Sequence, residues 1–215
     1  MNRETALICL NGDLDKALPH VEREQYDYVL AVDGALGTLY RLGIQPDAVI
    51  GDLDSATPLD LELAQKVGIA VYHIRDQETT DFEKAMQHID EKGFGSVDII
   101  GYRGNRLDHE LAALEATTLY ATHIAIRMID HHAEGYVLSG LAEKTIRGKE
   151  GHVCSILPIH PCEGVSLGGF KWPLSNTRLG GGFPYSCSNQ ITQENASVTL
   201  RSGTLLIYLH RSREF

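Results

Sequence analysis

Six short apolar runs, rich in Val and Ile and separated by stretches of helical character, occupy the first part of the chain, and then the pattern stops. The runs are Ala6–Leu10, Tyr28–Val32, Ala48–Ile50, Ala70–Ile74, Val97–Ile100 and Ile124–Ile129. They are nearly continuous, as strands covered on both faces are. Helix candidates lie between them at about 35–42, 58–67, 80–92 and 106–122. The third opens on Thr80-Asp81-Phe82-Glu83, a capping-box pattern, and ends before Gly93. Alternation of this kind requires a mainly parallel sheet with right-handed crossovers. It predicts an α/β domain over residues 1–134.

From about residue 134 the pattern changes. Runs such as Gly135–Leu138, Val153–Leu157, Ala196–Leu200 and Thr204–Leu209 are separated by Gly, Pro, Ser and Asn. That spacing predicts an all-β sandwich domain over residues 135–215. The stretch from Leu179 to Pro184 holds three consecutive glycines and reads as a loop.

Composition narrows the partners. Asp and Glu number 29 against 19 Lys and Arg, a formal charge of −10. Such a chain repels polyanions, so no nucleic-acid partner is expected. Cys9, Cys154, Cys162 and Cys187 form no C-x-x-C pair, which predicts reduced thiols and a cytoplasmic location. The apolar run near the N-terminus is too short for a signal peptide, and none approaches the roughly 20 residues that span a bilayer, so no membrane partner is expected.

Open parallel sheets bind ligands beyond the carboxyl ends of their strands. The second run ends in Asp33-Gly34, and the third runs into Gly51-Asp52-Leu53-Asp54-Ser55. The fourth leads to Arg75-Asp76-Gln77-Glu78-Thr79-Thr80-Asp81, and the fifth to Gly101-Tyr102-Arg103-Gly104-Asn105-Arg106-Leu107-Asp108. Four acidic strand ends on one edge need cations. Magnesium takes carboxylate oxygens together with phosphates, and Arg75, Arg103, Arg106 and Lys84 suit phosphate oxygens. Metal, carboxylates and arginines together are the equipment of phosphoryl transfer. In extended chain Asp52 and Asp54 point the same way and would face one ion, with Leu53 toward the core. Asp81 at a helix start is also favoured by the helix dipole alone. Arg106 opposes that dipole, and a phosphate would explain it. No Walker-type phosphate loop and no dinucleotide fingerprint is present. His131-His132 reads as a linker pair, and the lone Trp172 as plain core. Ser188-Asn189 falls in a polar turn.

With these residues in place, the chain resembles the thiamine pyrophosphokinase family across nearly its full length. The matching motifs are Asp33-Gly34, Gly51-Asp52-Leu53-Asp54-Ser55, Asp76-Gln77-x-x-Thr80-Asp81-Phe82 and Arg106-Leu107-Asp108-His109. They continue through Ser155-Ile156-Leu157-Pro158, Gly169-x-x-Trp172-Pro173-Leu174, Ser188-Asn189 and Gly203-Thr204-Leu205-Leu206. The resemblance implies an ATP- and magnesium-binding α/β domain, a thiamine-binding β domain, and a homodimer with shared sites. It implies magnesium on Asp52 and Asp54, with Asp33, Arg103, Arg106 and Asp108 on the ATP side. Gln77, Asp81, Ser188 and Asn189 would meet thiamine, with Asp81 an alternative metal contact. The implied reaction moves pyrophosphate from ATP to the thiamine hydroxyl and releases AMP. Arg106 would stabilise charge, and either Asp54 or Asp81 would orient the hydroxyl. A magnesium-dependent phosphohydrolase and a non-catalytic nucleotide- or thiamine-binding module are the rival readings. Departures from the family pattern at Ala35-Leu36-Gly37 and Asn105 leave nucleotide preference open.

Overall fold

The computed structural model describes residues 4–183 and 185–213, so Pro184 of the expected glycine loop lies outside the described residues. The chain divides into two compact units, Met1–His131 and His132–Phe215. The division falls within the His131-His132 pair, close to the boundary expected after residue 134.

The first unit carries β1 (Thr5–Cys9), β2 (Tyr28–Val32), β3 (Ala48–Gly51), β4 (Ala70–His73), β5 (Ser96–Ile100) and β6 (Ala125–Ile129). Their order is β4-β3-β2-β1-β5-β6, parallel throughout. The chain steps outward from β1 to β4 and then returns to the other edge of β1. A switch point therefore lies between β1 and β5, where a crevice opens at the carboxyl ends. The core joins Leu7, Val29, Ala31, Val49 and Ile100 of the strands to Leu36 and Leu39 of a helix.

The helices are α1 (Leu14–Ala17), α2 (Ala35–Arg41), α3 (Pro58–Lys66), α4 (Asp81–Glu91) and α5 (Leu107–Thr117). Thr57 caps α3 by accepting from the Asp60 N–H at 3.1 Å, with Pro58 in the first turn. The capping box of α4 is present: Thr80 accepts from the Glu83 N–H, and Glu83 accepts from the Thr80 N–H at 2.7 Å. Helix α5 stops at Thr117, short of the expected 122. The Thr117 and Thr118 hydroxyls donate to the Leu114 and Glu115 carbonyls at 2.6 and 2.7 Å, and such back-bonding weakens a helix end. The four-residue α1 is too short to leave a periodic signature.

Packed on the outer half of this sheet, His88 of α4 lies 5.9 Å from the ring of Tyr28 and 4.5 Å from that of Tyr72. Its Nε2 lies 3.0 Å from the Tyr28 hydroxyl. Burial holds the imidazole below its ordinary value of 6.5. The unfolded chain then takes up the proton more readily than the folded one. The stability that His88 contributes is present above pH 6.5 and is lost as pH falls from 6.5 through the folded value. We expect denaturant midpoints to drop between about pH 7 and about pH 5, and to drop less in His88→Gln. Equal losses in both proteins would remove His88 as the cause.

The second unit contains β7 (Ala133–Ser139), β8 (Ala142–Arg147), β9 (Val153–Gly168), β10 (Leu174–Leu179), β11 (Ser186–Gln190), β12 (Asn195–Leu200) and β13 (Ser202–His210). All described pairings are antiparallel. The first half of β9 pairs with β13 and β11, and β13 continues to β7. The second half pairs with β12 and β10, and β12 continues to β8. One long strand thus belongs to both sheets of the sandwich, and Ile156, Leu205 and Ile207 share a core with Val165, Leu167 and Val198. Pro158 and Pro161 sit where the register against β13 shifts, which is where a strand tolerates proline. The expected run Val153–Leu157 is only the start of β9. Strands β8, β10 and β11 read AEKTIR, LSNTRL and SCSNQ and carry too few apolar residues to announce themselves.

Candidate active site

Strand β2 delivers Asp33 in a left-handed conformation, φ 48°, with its N–H on the Ile50 carbonyl at 2.9 Å. Beside it, β3 ends on Gly51 at φ 145°. A Cβ at this glycine would meet Asp33 Cβ and Asp81 Cγ, each at 3.3 Å. Glycine here lets two acidic side chains from different elements close over the strand end. The Asp52 N–H donates to Asp81 Oδ1 at 3.2 Å, and oxygens of Asp33, Asp52 and Asp81 lie within 4.8 Å of one another. One turn along α4, the buried Lys84 ammonium donates to Asp81 Oδ1 at 2.9 Å. Burial pushes the Asp33 carboxyl up, against hydrogen bonds from Ser55 and the Gly34 N–H that lower it. The three half-buried carboxylates are a hard oxygen donor set and fit a magnesium ion, with the Lys84 ammonium as a fixed counter-charge to Asp81.

The Asp52-Leu53-Asp54 segment is not extended as expected. Leu53 is buried but left-handed, φ 62°, a conformation that costs a non-glycine residue roughly 1–2 kcal/mol. The chain turns there, so the Asp54 N–H folds back onto Asp52 Oδ1 at 3.2 Å. The Asp54 carboxylate accepts from the Ser55 hydroxyl at 2.9 Å and lies outside the three-carboxylate group, although its charge is felt at Asp33. Gln77 donates to Asp52 Oδ2 at 3.4 Å. The neighbouring Asp76 carboxyl is held below its usual range by the Thr79 hydroxyl and the Glu78 N–H.

Across the switch point the loops after β1 and β5 are locked together. The Gly12 N–H donates to the Gly101 carbonyl at 2.9 Å, and the Asp13 N–H to the Arg103 carbonyl at 2.6 Å. Arg103 is oriented by two acids: Asp130 Oδ2 at 3.4 Å, which also accepts from the Tyr102 hydroxyl at 2.8 Å, and Glu110 Oε2 at 3.9 Å. Arg106 stands at the N-cap position of α5 without capping it and forks onto Asp108 through Nε at 2.9 Å and Nη2 at 2.6 Å. That fork holds the Asp108 carboxyl well below the usual carboxylate range and gives Arg106 a local partner against the helix dipole. A cavity of about 470 Å³ opens here, lined by Asp33, Asp52, Gln77, Asp81, Arg103 and Arg106, with Lys84 on its wall. Asp54 and Asp108 are not on that wall.

In the second unit, Ser188 and Asn189 lie on β11 rather than in a turn. An extra residue between Ser186 and Asn189 bulges the strand against β9, and Ser188 takes φ 55° there. Asn189 is buried, whereas Trp172, expected in the core, is 55% exposed with the Lys171 ammonium 4.8 Å from its ring centroid. The four cysteines are free. Burial pushes the Cys162 thiol up to about 11 and Cys154 to about 12, so neither is a nucleophile near neutral pH. Among the described residues no helix is long and apolar enough to cross a membrane.

Comparison with known proteins covers both units. Residues 20–128 match the family described as the thiamin pyrophosphokinase catalytic domain, and residues 143–205 match its vitamin B1 binding domain. The chain is 30% identical over 175 residues to thiamine pyrophosphokinase 3 of Oryza sativa subsp. japonica, covering 76% of this chain and 65% of that protein. It therefore spans just under two thirds of that relative. Over 189 residues it is 25% identical to thiamine pyrophosphokinase of Bacillus subtilis, covering 86% of this chain and 87% of the other. The solved Bacillus subtilis structure shares the fold with a TM-score of 0.83 at 24% identity, over 96% of this chain and 99% of that one. The Candida albicans structure has a TM-score of 0.81 at 16% identity, over 97% and 89%. With more than half of its residues matched to the catalytic domain and a second match in the β unit, the chain belongs to the thiamin pyrophosphokinase family.

Proposed function

We propose that the protein transfers pyrophosphate from ATP to the hydroxyl of thiamine, giving thiamine diphosphate and AMP. The observation that carries this reading is the switch-point cavity. There Asp33, Asp52 and Asp81 converge opposite Arg103 and Arg106, inside the region matched by the catalytic domain. The thiamine oxygen forms a bond to the β-phosphorus. The bond from that phosphorus to the α–β bridging oxygen breaks, AMP leaves, and the hydroxyl proton is lost.

Asp33, Asp52 and Asp81 would hold magnesium, with Asp54 beside them, and the ion would supply charge neutralisation at the phosphoryl oxygens. Arg103, braced by Asp130 and Glu110, presents a fixed fork to phosphate. Arg106 is more exposed and exchanges its Asp108 partner for the nucleotide. Lys84 keeps the Asp81 carboxylate in place. Asp81, which unlike Asp54 lines the cavity, orients the hydroxyl, a modest role where the transition state is loose. Gln77, beside Asp52, meets the thiamine as it enters. The β unit supplies the remaining thiamine surface around Ser188. The working form is a cytoplasmic homodimer whose sites are each completed by the partner.

The test is AMP formation from ATP and magnesium, with and without thiamine, on protein fractions of known mass. Thiamine-dependent AMP from the dimer fraction is expected. AMP or phosphate released equally without thiamine would replace this reading with a phosphohydrolase. Binding of both ligands without AMP would make the protein a binding module.

A further inference from the structure

The side chain of Lys84 is 5% exposed and stands in the first turns of α4. Both settings are unfavourable for an ammonium. Burial strips its water, and the start of a helix carries positive partial charge. Among the described residues its hydrogen-bond partner is Asp81 Oδ1 at 2.9 Å. An ammonium has three donor hydrogens, so one such bond leaves two of them unused. Lys84 lines the switch-point cavity, and an acceptor bound there would satisfy those donors.

Bracing Asp81 does not require a charge. Asp81 Oδ1 already accepts the Asp52 N–H at 3.2 Å, and a neutral amide serves a carboxylate oxygen as a donor too. A fixed positive charge beside three carboxylates repels any cation they collect. A site for the cation alone is therefore weakened by Lys84. A site for the cation together with polyphosphate is strengthened, because polyphosphate brings more negative charge than one divalent ion removes. The basic side chains on the cavity wall fit this division. Arg103 and Arg106 come from the loop after β5, whereas Lys84 comes from α4, on the carboxylate side.

We infer that Lys84 is a catalytic residue whose unused N–H groups donate to non-bridging oxygens of the pyrophosphoryl group in transfer. No bond to Lys84 forms or breaks, and its protons stay in place. It offsets negative charge while the β-phosphorus passes from the α–β bridging oxygen to the thiamine oxygen. The inference rests on the phosphoryl-transfer reading and gives Lys84 a direct contact with substrate besides its bond to Asp81.

The test uses inorganic pyrophosphate as the probe, so it needs neither thiamine nor turnover. Calorimetry measures the binding of magnesium alone, then of pyrophosphate at saturating magnesium, to wild type and Lys84→Gln. Pyrophosphate affinity should fall about 10- to 100-fold in the variant, the scale of a charge-assisted hydrogen bond. Magnesium alone should bind the variant at least as tightly as wild type, since a repelling charge has gone. A brace for Asp81 and nothing more predicts the reverse: weaker magnesium binding, and unchanged pyrophosphate affinity once the ion is saturating. That reverse result, or a wild type that binds no pyrophosphate, would overturn the inference. With ATP and thiamine, kcat should drop about 100-fold while the thiamine KM stays within about twofold. If Lys84→Gln does not fold, Lys84→Met keeps an unbranched buried stem and undergoes the same measurements with the same expectations. If wild type forms no AMP, the transferase reading has failed, and pyrophosphate binding alone decides the role of Lys84.

Discussion

Asp81→Asn should lower kcat for thiamine-dependent AMP release by on the order of 10³-fold while the protein stays folded. Asp81 joins three components of the site: it is one of three converging carboxylates, it accepts the Asp52 N–H, and it is the partner of a buried ammonium. Asparagine keeps the size and removes the charge. A hard cation then loses a ligand it prefers, and Lys84 is left without its counter-charge beside the phosphates. Folding should survive because α4 starts on the Thr80–Glu83 capping box, which does not involve the Asp81 side chain. The measurement is kcat over a magnesium titration, with circular dichroism as the folding control. Activity within a few-fold of wild type at equal magnesium would take Asp81 out of the cation site.

How much of this site could be read from the residues depends on what positions each one. The strand ends could be read, because Val- and Ile-rich runs are interrupted by acids at the same point in the unit. Their convergence followed from the parallel topology. What escaped was the local turn. Nothing in Asp52-Leu53-Asp54 shows that Leu53 leaves the extended region, and that single dihedral angle takes Asp54 out of the closest group and leaves Asp33 and Asp81 in it. Asp33 and Asp81 are far apart in the chain, and the β2–β3 pairing, the packing of α4 on those strands and a glycine at position 51 together bring them close. The β unit was harder to read for a related reason. Its polar strands β8, β10 and β11 take their conformation from pairing partners rather than from their own pattern. The burial of Asn189 follows from a one-residue bulge, which inverts the side-chain alternation that a sequence pattern assumes, and the exposed Trp172 lies between β9 and β10, outside any strand pattern.

Gly12→Ala should be as damaging as the loss of a catalytic group, although it adds one methyl group and alters no charge. A Cβ at Gly12 would lie 1.9 Å from the Arg103 carbonyl oxygen and 2.5 Å from that of Gly101. Both obstacles are backbone. Neither can swing aside, because β1 and β5 are held in register from Thr5↔Ser96 to Cys9↔Ile100, and the loops beyond are tied by the Gly12 and Asp13 N–H groups. The two loops must separate, and Arg103 and Arg106 move with the second of them. A shift of about 1 Å at a phosphate-binding group costs on the order of 100-fold in turnover, and forced overpacking costs about 1–3 kcal/mol of stability. Gly104→Ala is the comparison: its Cβ would meet only the Gly12 Cα at 3.4 Å, an ordinary contact. It should stay within a few-fold of wild type. The assay is kcat/KM for ATP with a thermal melt of each variant. If Gly12→Ala and Gly104→Ala behave alike, the docking of the β1 and β5 loops does not set the geometry of the nucleotide half of the site.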